Sequence, residues 1–497
     1  MSGNLLLRSG HSIVGRYATV TQVTNNKETF NYVGKTDISI TGIHFHGVGT
    51  DYVESDSSMA VAIYGNGGER RIRVYGNRFT NFGYTSLRAK GAEDVEFCSN
   101  VVVGPGSGIL TSITSGRCYG MLADAGCVRV LISGNAISNT AQGLRLEGCQ
   151  DTKVTNNIIY NIKGQHGIYS GSAMLNLTIA NNNIGPVDLI GIKNQAANGT
   201  THNQNITITG NTVISTGDQG ILICNGAGSS AQSILVKNVT VTGNVLKNIG
   251  SNGINFQNVY GGVVANNCID TVTQNGVNIS ASTVFSIANN EITNVGLNGI
   301  CDEYQCDLFQ LDSNRIHNPA TAAASGNNYG IYVQTGTSVV IKDNTITDNN
   351  NHMRYGIFTP GAQQQSLSVI GNSIPTATDQ AARFANATDA MQSYRDNYFG
   401  TSVATFNDPA IPAIASASSV VFPTQHNMVR LTGTSNVTNI NTNGHSGHTI
   451  TILFDSTATV TRGGNIQISS TMTGTPQDTL TIASDGVYWY EVCRAIN

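Results

Sequence analysis

Apolar and polar positions recur along this chain at fixed offsets from an asparagine. The unit is plainest from Gly276 to Ile300: Gly-Val-Asn-Ile, a short loop, Val284 to Ile287, Asn290, Ile292, a second loop, and Gly299-Ile300 starts again. The asparagine stands at 77, 100, 135, 157, 182, 211, 244, 267, 290, 314, 344 and 372. Three residues before each is an apolar residue, from Val74 to Val369, and two residues after each is another, from Phe79 to Ile374. From Gly143 onward a glycine with a branched aliphatic behind it opens the next stretch, at 143, 167, 191, 220, 253, 276, 299, 330 and 356.

Periods of 22 to 35 residues suit either helical pairs or β coils. Helical repeats need long runs of period 3.6 rich in Ala, Leu, Glu and Lys. Here Ile, Val and Thr alternate with polar residues in runs of three to five, broken by Asn and Gly, which is strand chemistry with turn punctuation. Each repeat predicts about three short strands, each pairing with its counterpart one coil on, at roughly 4.8 Å. The asparagine suits a tight turn because it tolerates the left-handed conformation, and stacked asparagines can bond in a ladder. The glycine suits a sharp bend. The pattern therefore predicts an all-β chain built on a single-stranded parallel β-helix of about 12–13 coils.

Four segments follow. Residues 1–45 read as an N-terminal cap, 46–385 as the β-helix body with its groove, 386–420 as a linker or crossover with Pro409, Pro412 and an Ala/Ser run, and 421–497 as a small antiparallel, sandwich-like β-domain. Insertions at 103–120, 194–205, 225–237, 317–329 and 347–355 interrupt the coils, and in a solenoid such extras fall on loops of the binding face. The loops at 194–205, 225–237 and 347–355, with His352, Arg354 and Tyr355, are the expected seat of specificity.

Composition narrows the class. Charged residues are 11% of the chain and 55 of 497 are Gly, so the lateral surface is amide and hydroxyl. A net charge of −4 gives no basic footprint for nucleic acid. Nine cysteines without paired spacing read as buried thiols. No run of 18 apolar residues and no charged-then-apolar leader is present, so neither membrane insertion nor secretion is expected.

The tail carries Asp478-Thr479-Leu480-Thr481-Ile482 and Trp489-Tyr490-Glu491-Val492, with the single Trp. A polar, Asn-laddered β-helix followed by this motif resembles the bacteriophage tailspikes, a pectate-lyase-like depolymerase family. The resemblance implies a right-handed helix. It implies a homotrimer clasped by the C-terminal domain, part of the virion tail, that binds and commonly cleaves capsule or O-antigen polysaccharide at the host surface. It also implies attachment to the phage tail or baseplate through an N-terminal region. That region and the Asp/Gly/Thr-rich opening motif of the family are not in this chain, so a truncated reading frame is expected. No cofactor or metal is implied.

Alternation after each opening glycine sends the first residue in and the second out. One outward stripe then reads Arg145, Tyr169, Lys193, Leu222, Asn255, Asn278, Cys301, Tyr332 and Phe358, and a second reads Glu147, Gln195, Cys224, Gln257, Ser280, Glu303 and Gln334. Amides, hydroxyls and rings in rows suit sugar hydroxyls and sugar faces; a bland polar face would look similar. The expected saccharide contacts are Arg145, Glu147, Tyr169, Lys193, Asp218, Asn255, Gln257, Asn278, Tyr304 and Tyr332. For hydrolysis, two carboxyls about 5–9.5 Å apart are needed. Asp302 falls in an aliphatic inward column, where a carboxylate is costly, and Glu303 falls outward beside Tyr304. The reading takes Glu303 as general acid, its pKa raised by partial burial, and Asp302 or Asp270 as base or nucleophile, with Asp188, Asp218 and Glu147 in reserve. The competing reading makes the acids solvent-facing residues of a strand that ends early. Two alternatives stay open: a lyase using Lys193, Arg145 or Tyr169, and a non-cleaving adhesin. Phosphate loops, zinc-type Cys/His spacing and nucleophile elbows do not occur in the sequence.

Overall fold

The computed structural model describes residues 5–22, 28–48, 61–105, 118–197, 202–226, 236–304, 306–321, 328–334, 336, 338–360, 366–378, 380–384, 391–395, 397–398, 411–423, 427–442 and 445–496. Every regular element among them is a β-strand. Three long sheets of 15, 15 and 13 parallel strands run the length of the body, each strand bonded to its equivalent one coil before and after. This is a parallel β-helix. One continuous apolar core fills it from Leu7 to Phe384, beginning with the ring stack Phe30, Phe45, Phe79 and Phe97, whose centroids lie 5.1, 5.0 and 5.9 Å apart in turn.

The asparagine ladder is continuous, and its geometry corrects the expected reason for it. In each rung the backbone N–H and Nδ2 of one Asn donate to Oδ1 of the Asn in the next coil, while Nδ2 also donates to a carbonyl of the preceding coil. Asn267, for example, donates at 3.0 and 2.9 Å to Asn290 Oδ1 and at 3.0 Å to the Val241 carbonyl. These side chains are buried, so amide stacking supplies partners where water cannot reach. The left-handed residue is the one before the ladder Asn: Ser99, Asn156, Asn181, Asn266, Asn289, Ser313 and Asp343 have φ between 54° and 56°, and Gly76, Gly134, Gly210, Gly243 and Gly371 fill the same place in other coils. Turn and ladder are thus separate demands on adjacent positions.

The opening glycines also differ from expectation. None of Gly143, Gly167, Gly276 or their equivalents has positive φ. A Cβ on Gly276 would lie 2.4 Å from Ile292 Cγ2 and 2.6 Å from the Gly299 carbonyl oxygen. Space, not backbone bending, excludes a side chain there.

The domain edges move. Leu5–Leu6, Ser12–Val14 and Thr19–Thr21 already head the three sheets, so residues 1–45 contain two coils rather than only a cap. Their apolar positions are short and partly exposed, which hid the period. At the other end Met391–Arg395 pairs with Ser366–Ile370, Tyr398 bridges to Ser373, and Asn397 adds a thirteenth rung to the ladder. The sheets therefore hold more coils than the 12–13 expected, and residues 386–420 are no simple linker. Ala413–Ala415 belongs to the C-terminal sheet.

That sheet is mixed, not antiparallel. Ala413–Ala415, Met428–Thr432 and Thr449–Phe454 run parallel; Thr479–Ser484 turns back antiparallel to Thr449–Phe454, and Trp489–Ala495 reverses again beside it. It has its own core around Leu431, Ile452, Phe454, Leu480, Ile482 and Trp489. The tail motif earns its residues locally. Asp478 accepts from the Thr475 N–H and hydroxyl at 2.7 and 2.9 Å, and Asp485 accepts from the Val487 and Tyr488 N–H groups at 2.8 and 2.7 Å, closing two turns. Arg494 holds the Glu491 carboxyl down to about 2. Seven of the nine thiols are buried, with Cys268 half-buried and Cys493 exposed, and all are free.

Candidate functional site

The outer face of the first sheet places the expected stripe in register. Arg88, Leu122, Arg145, Tyr169, Lys193, Leu222, Asn255, Asn278, Cys301, Tyr332, Phe358 and Arg383 pair rung by rung. The residue before each opening glycine flanks this stripe on the same side, a row that simple alternation misses. It supplies Tyr119, Gln142, His166, Asn275, Asn298, Tyr329 and Tyr355.

Near the start of the face these two rows build a charged cluster. Arg145 lies between the Tyr119 and Tyr169 rings, 5.4 and 5.3 Å from their centroids, and donates to the Tyr119 hydroxyl at 3.1 Å and to Glu147 at 3.0 Å. His166 stacks on Tyr169 at 5.9 Å, and Lys193 lies 5.8 Å from the same ring. Burial, then Lys193 and Arg145, push His166 down to about 3, so it is neutral at physiological pH. Burial and Glu147 push the Tyr169 phenol up.

Asp124 joins this cluster, and the sequence reading missed it. Ala123 pairs with Leu146, so the next residues, Asp124 and Glu147, face each other across adjacent coils at about one 4.8 Å rung. The Asp124 side chain is 16% exposed and pairs with Arg88 at 3.4 Å. Burial pushes its carboxyl up, against the pull of Arg88 and Lys90, and Glu147 adds to the rise. Its Oδ1 is buried with no hydrogen-bond partner among the described residues, as are both amide atoms of Gln142 and Nδ1 of His166. Orphaned buried polar atoms are uncommon in native folds. Both carboxyls sit beside a guanidinium, Asp124 at Arg88 and Glu147 at Arg145, and Asp124 is the more buried, at 16% against 29% side-chain exposure.

The expected catalytic trio does not converge. Glu303 is the extra residue of a bulge, because Ile279 pairs with Asp302 but Ser280 pairs with Tyr304. It is exposed rather than partly buried and accepts from Asn278 Nδ2 at 3.1 Å. Tyr304, not Glu303, continues the second stripe, and is exposed. Asp302 is buried in the interior beside the Cys306 thiol. Its column is also polar at Ser170 and Asn194, which bond at 2.8 Å, so Asp302 is less anomalous than the pattern implied. Asp270 pairs with Lys247 and Thr293 in the third sheet, on another face. Burial pushes it up, but bonds from Asn294, Thr293 and Thr271 outweigh this and hold it below the ordinary range.

Of the remaining expected residues, Asn255 and Asn278 are buried in an amide row, Asn278 Nδ2 donating to Asn255 Oδ1 at 3.3 Å, and Gln257 flanks Ser280. Asp188 and Asp218 lie at the corner between the third and first sheets. Asp188 pairs with Lys163 at 3.3 Å and Asp218 is half-exposed. In the 347–355 loop the Asp348 carboxyl accepts the N–H groups of Asn350, His352 and Met353. This holds exposed His352 and brings Arg354 over the Tyr355 ring at 5.0 Å. Residues 198–201 and 227–235 of the other two loops lie outside the described residues.

Coils and ladder define a parallel β-helix protein. Residues 111–269 and 236–388, together more than half the chain, match the family described as the right handed beta helix region, and the chain belongs to that family. No curated protein matches it. Similar solved structures include the Azotobacter vinelandii mannuronan C-5 epimerase AlgE6 A-module (14% identity, 80% of this chain and 90% of that one, TM-score 0.42). The Dettilon tailspike protein is similar at 17% identity, covering 71% and 59%, TM-score 0.41. So is the DFA-IIIase of Arthrobacter chlorophenolicus A6 in complex with GF2, at 14%, covering 62% and 89%, TM-score 0.41. At these values the likeness carries no argument about chemistry.

Proposed function

We propose that the protein is a polysaccharide depolymerase that hydrolyses glycosidic bonds on the outer face of the first sheet, with Asp124 and Glu147 as the catalytic carboxyls. The observation that carries this reading is their pairing across one coil at unequal burial. Burial raises the Asp124 carboxyl, which suits it to the acid role. A backbone spacing of about one 4.8 Å rung lets the two carboxyls come to the 5–5.5 Å usual for retention of configuration. Asp124 donates its proton to the glycosidic oxygen as that bond to the anomeric carbon breaks. Glu147 attacks the anomeric carbon and forms a glycosyl ester. Water, deprotonated by Asp124, then cleaves that ester and returns both residues to their starting states.

A lyase fits less well. β-Elimination needs a base to take a carbon-bound proton, and Tyr169 with its phenol raised is poorly suited to that. The wider role proposed is that of a phage tailspike: a homotrimer, joined to the virion tail through an N-terminal region, acting on capsule or O-antigen at the host surface. That role rests on the tail motif's resemblance.

Digestion of a panel of bacterial capsules and O-antigens should yield new reducing ends without the ultraviolet absorbance of unsaturated uronates. That absorbance would establish a lyase instead, and binding without any new ends an adhesin. Light scattering should report trimers for the whole chain and monomers after deletion of residues 401–497; trimers surviving the deletion would remove the clasp from the C-terminal domain.

A further inference from the structure

Seven coils beyond Glu147, about 34 Å by the rung spacing, the same face changes character. Tyr329, Tyr332, Tyr355 and Phe358 form one aromatic cluster, with Tyr329 lying 5.3 Å from Tyr332, 5.7 Å from Tyr355 and 4.7 Å from Phe358. Tyr329 and Tyr355 are buried at 4% and 3% exposure and form the base. Tyr332 and Phe358, on successive rungs of the stripe, are half-buried. Upstream, the same stripe positions hold the amides Asn255 and Asn278.

Two guanidinium groups border these rings. Arg354 lies 5.0 Å from the Tyr355 centroid, and Arg383 lies 5.4 Å from Tyr355 and 5.7 Å from Phe358. Arg383 is exposed, the next rung after Phe358, and donates Nη1 to the Tyr355 hydroxyl at 2.7 Å. That bond fixes the fork against the ring and uses one of its five N–H donors. No ion pair joins Arg383 to a carboxylate among the described residues.

We infer that this aromatic–guanidinium platform is a second saccharide site, separate from the carboxyl pair, and that it takes a sugar ring bearing a carboxylate. The ring faces match the apolar face of a pyranose. A braced guanidinium at their edge matches a planar carboxylate by two parallel bonds, which a neutral sugar has no group to use. The inference deepens the depolymerase reading and rests on it for the word saccharide: a polymer held at both places lies along the whole face.

Saturation-transfer NMR on the full chain tests it, with glucuronate, galacturonate and N-acetylneuraminate as probes, each beside a neutral counterpart: glucose, galactose and N-acetylmannosamine. At least one acid should receive saturation well above its neutral partner. Arg383→Gln should weaken its apparent affinity about tenfold or more, the size of one lost charge-assisted contact, and Phe358→Ala about tenfold through the lost ring face. Arg383→Lys, which keeps the charge and loses the fork, should fall between. Three results would overturn the site: no acid saturated, neutral sugars saturated equally, or an acid signal untouched by these variants and lost in Lys193→Gln. Hydrolysis is read separately in Asp124→Asn. A missing acid signal with hydrolysis lost in that variant sinks the platform alone; an acid signal with hydrolysis unchanged sinks the carboxyl pair alone.

Discussion

Asp124→Asn and Glu147→Gln each slow hydrolysis by about 10²-fold or more while polysaccharide binding is kept, because a positioned acid or base contributes roughly 10²–10⁴ in rate. Neither change alters side-chain size much, so the neighbouring Arg88 and Arg145 keep their places. Glu303→Gln, by contrast, leaves the rate within about twofold, since an exposed bulge residue supplies no such term. Rate assays on binding-competent protein decide this. Full activity in both variants, or a large loss in Glu303→Gln, would return the site to the bulge. The Asp124 variant also carries a stability signature. A carboxyl raised by folding binds its proton more tightly in the folded state. Its contribution is present at low pH and is lost as pH rises from the ordinary carboxylate value through the raised one. Asp124→Asn removes that loss, so the variant melts higher than the parent at neutral pH, and the difference closes in acid. A parent and variant with parallel melting-versus-pH curves would count against it.

Asn267→Ala destabilises the body far more than Asn266→Gly, although the two residues are adjacent and identical in the parent. Asn267 Oδ1 accepts from Asn244 N–H and Nδ2, both at 3.0 Å, and its own Nδ2 serves Val241 and Asn290. Removing it leaves buried groups on the two neighbouring coils short of partners, at roughly 1–3 kcal/mol each, so a loss on the order of 3–5 kcal/mol is expected. Asn266 contributes a left-handed turn with φ 56°. Glycine adopts that conformation freely, and its greater entropy in the unfolded chain offsets the relief, leaving a change within about 1 kcal/mol. Thermal unfolding of the pair separates the two roles; equal losses would mean that the turn and the ladder are one constraint.

Much of this architecture was legible because a parallel coil forces equal chemistry at equal offsets. The ladder asparagines, the core positions and the stripe from Arg145 to Phe358 fall in the predicted register, since each must satisfy the same neighbour one rung away. What the pattern hid had local causes. Gly120-Met121-Leu122-Ala123-Asp124 repeats the order of Gly143-Leu144-Arg145-Leu146-Glu147, yet an insertion over 103–120 separates it from its coil, so Asp124 went unread. The bulge at Glu303 shifts one strand by a residue, which alternation cannot foresee. Asn397 follows Tyr394 rather than an aliphatic, and the row before each glycine breaks simple alternation because the chain turns a corner there.

The stacking of coils also makes distance along the face a digital quantity. Gly253 to Asn275 is one complete 23-residue turn, joined to its neighbours by the same ladder and sheet bonds that would join those neighbours to each other. Taking it out, or copying it, leaves every other rung's partners of the same kind and moves the aromatic platform relative to the carboxyl pair by a single step of about 4.8 Å. The molecule is therefore a ruler. Its graduations are coils, and adding or removing one changes the spacing between the proposed platform and the proposed carboxyl pair without redesigning either end.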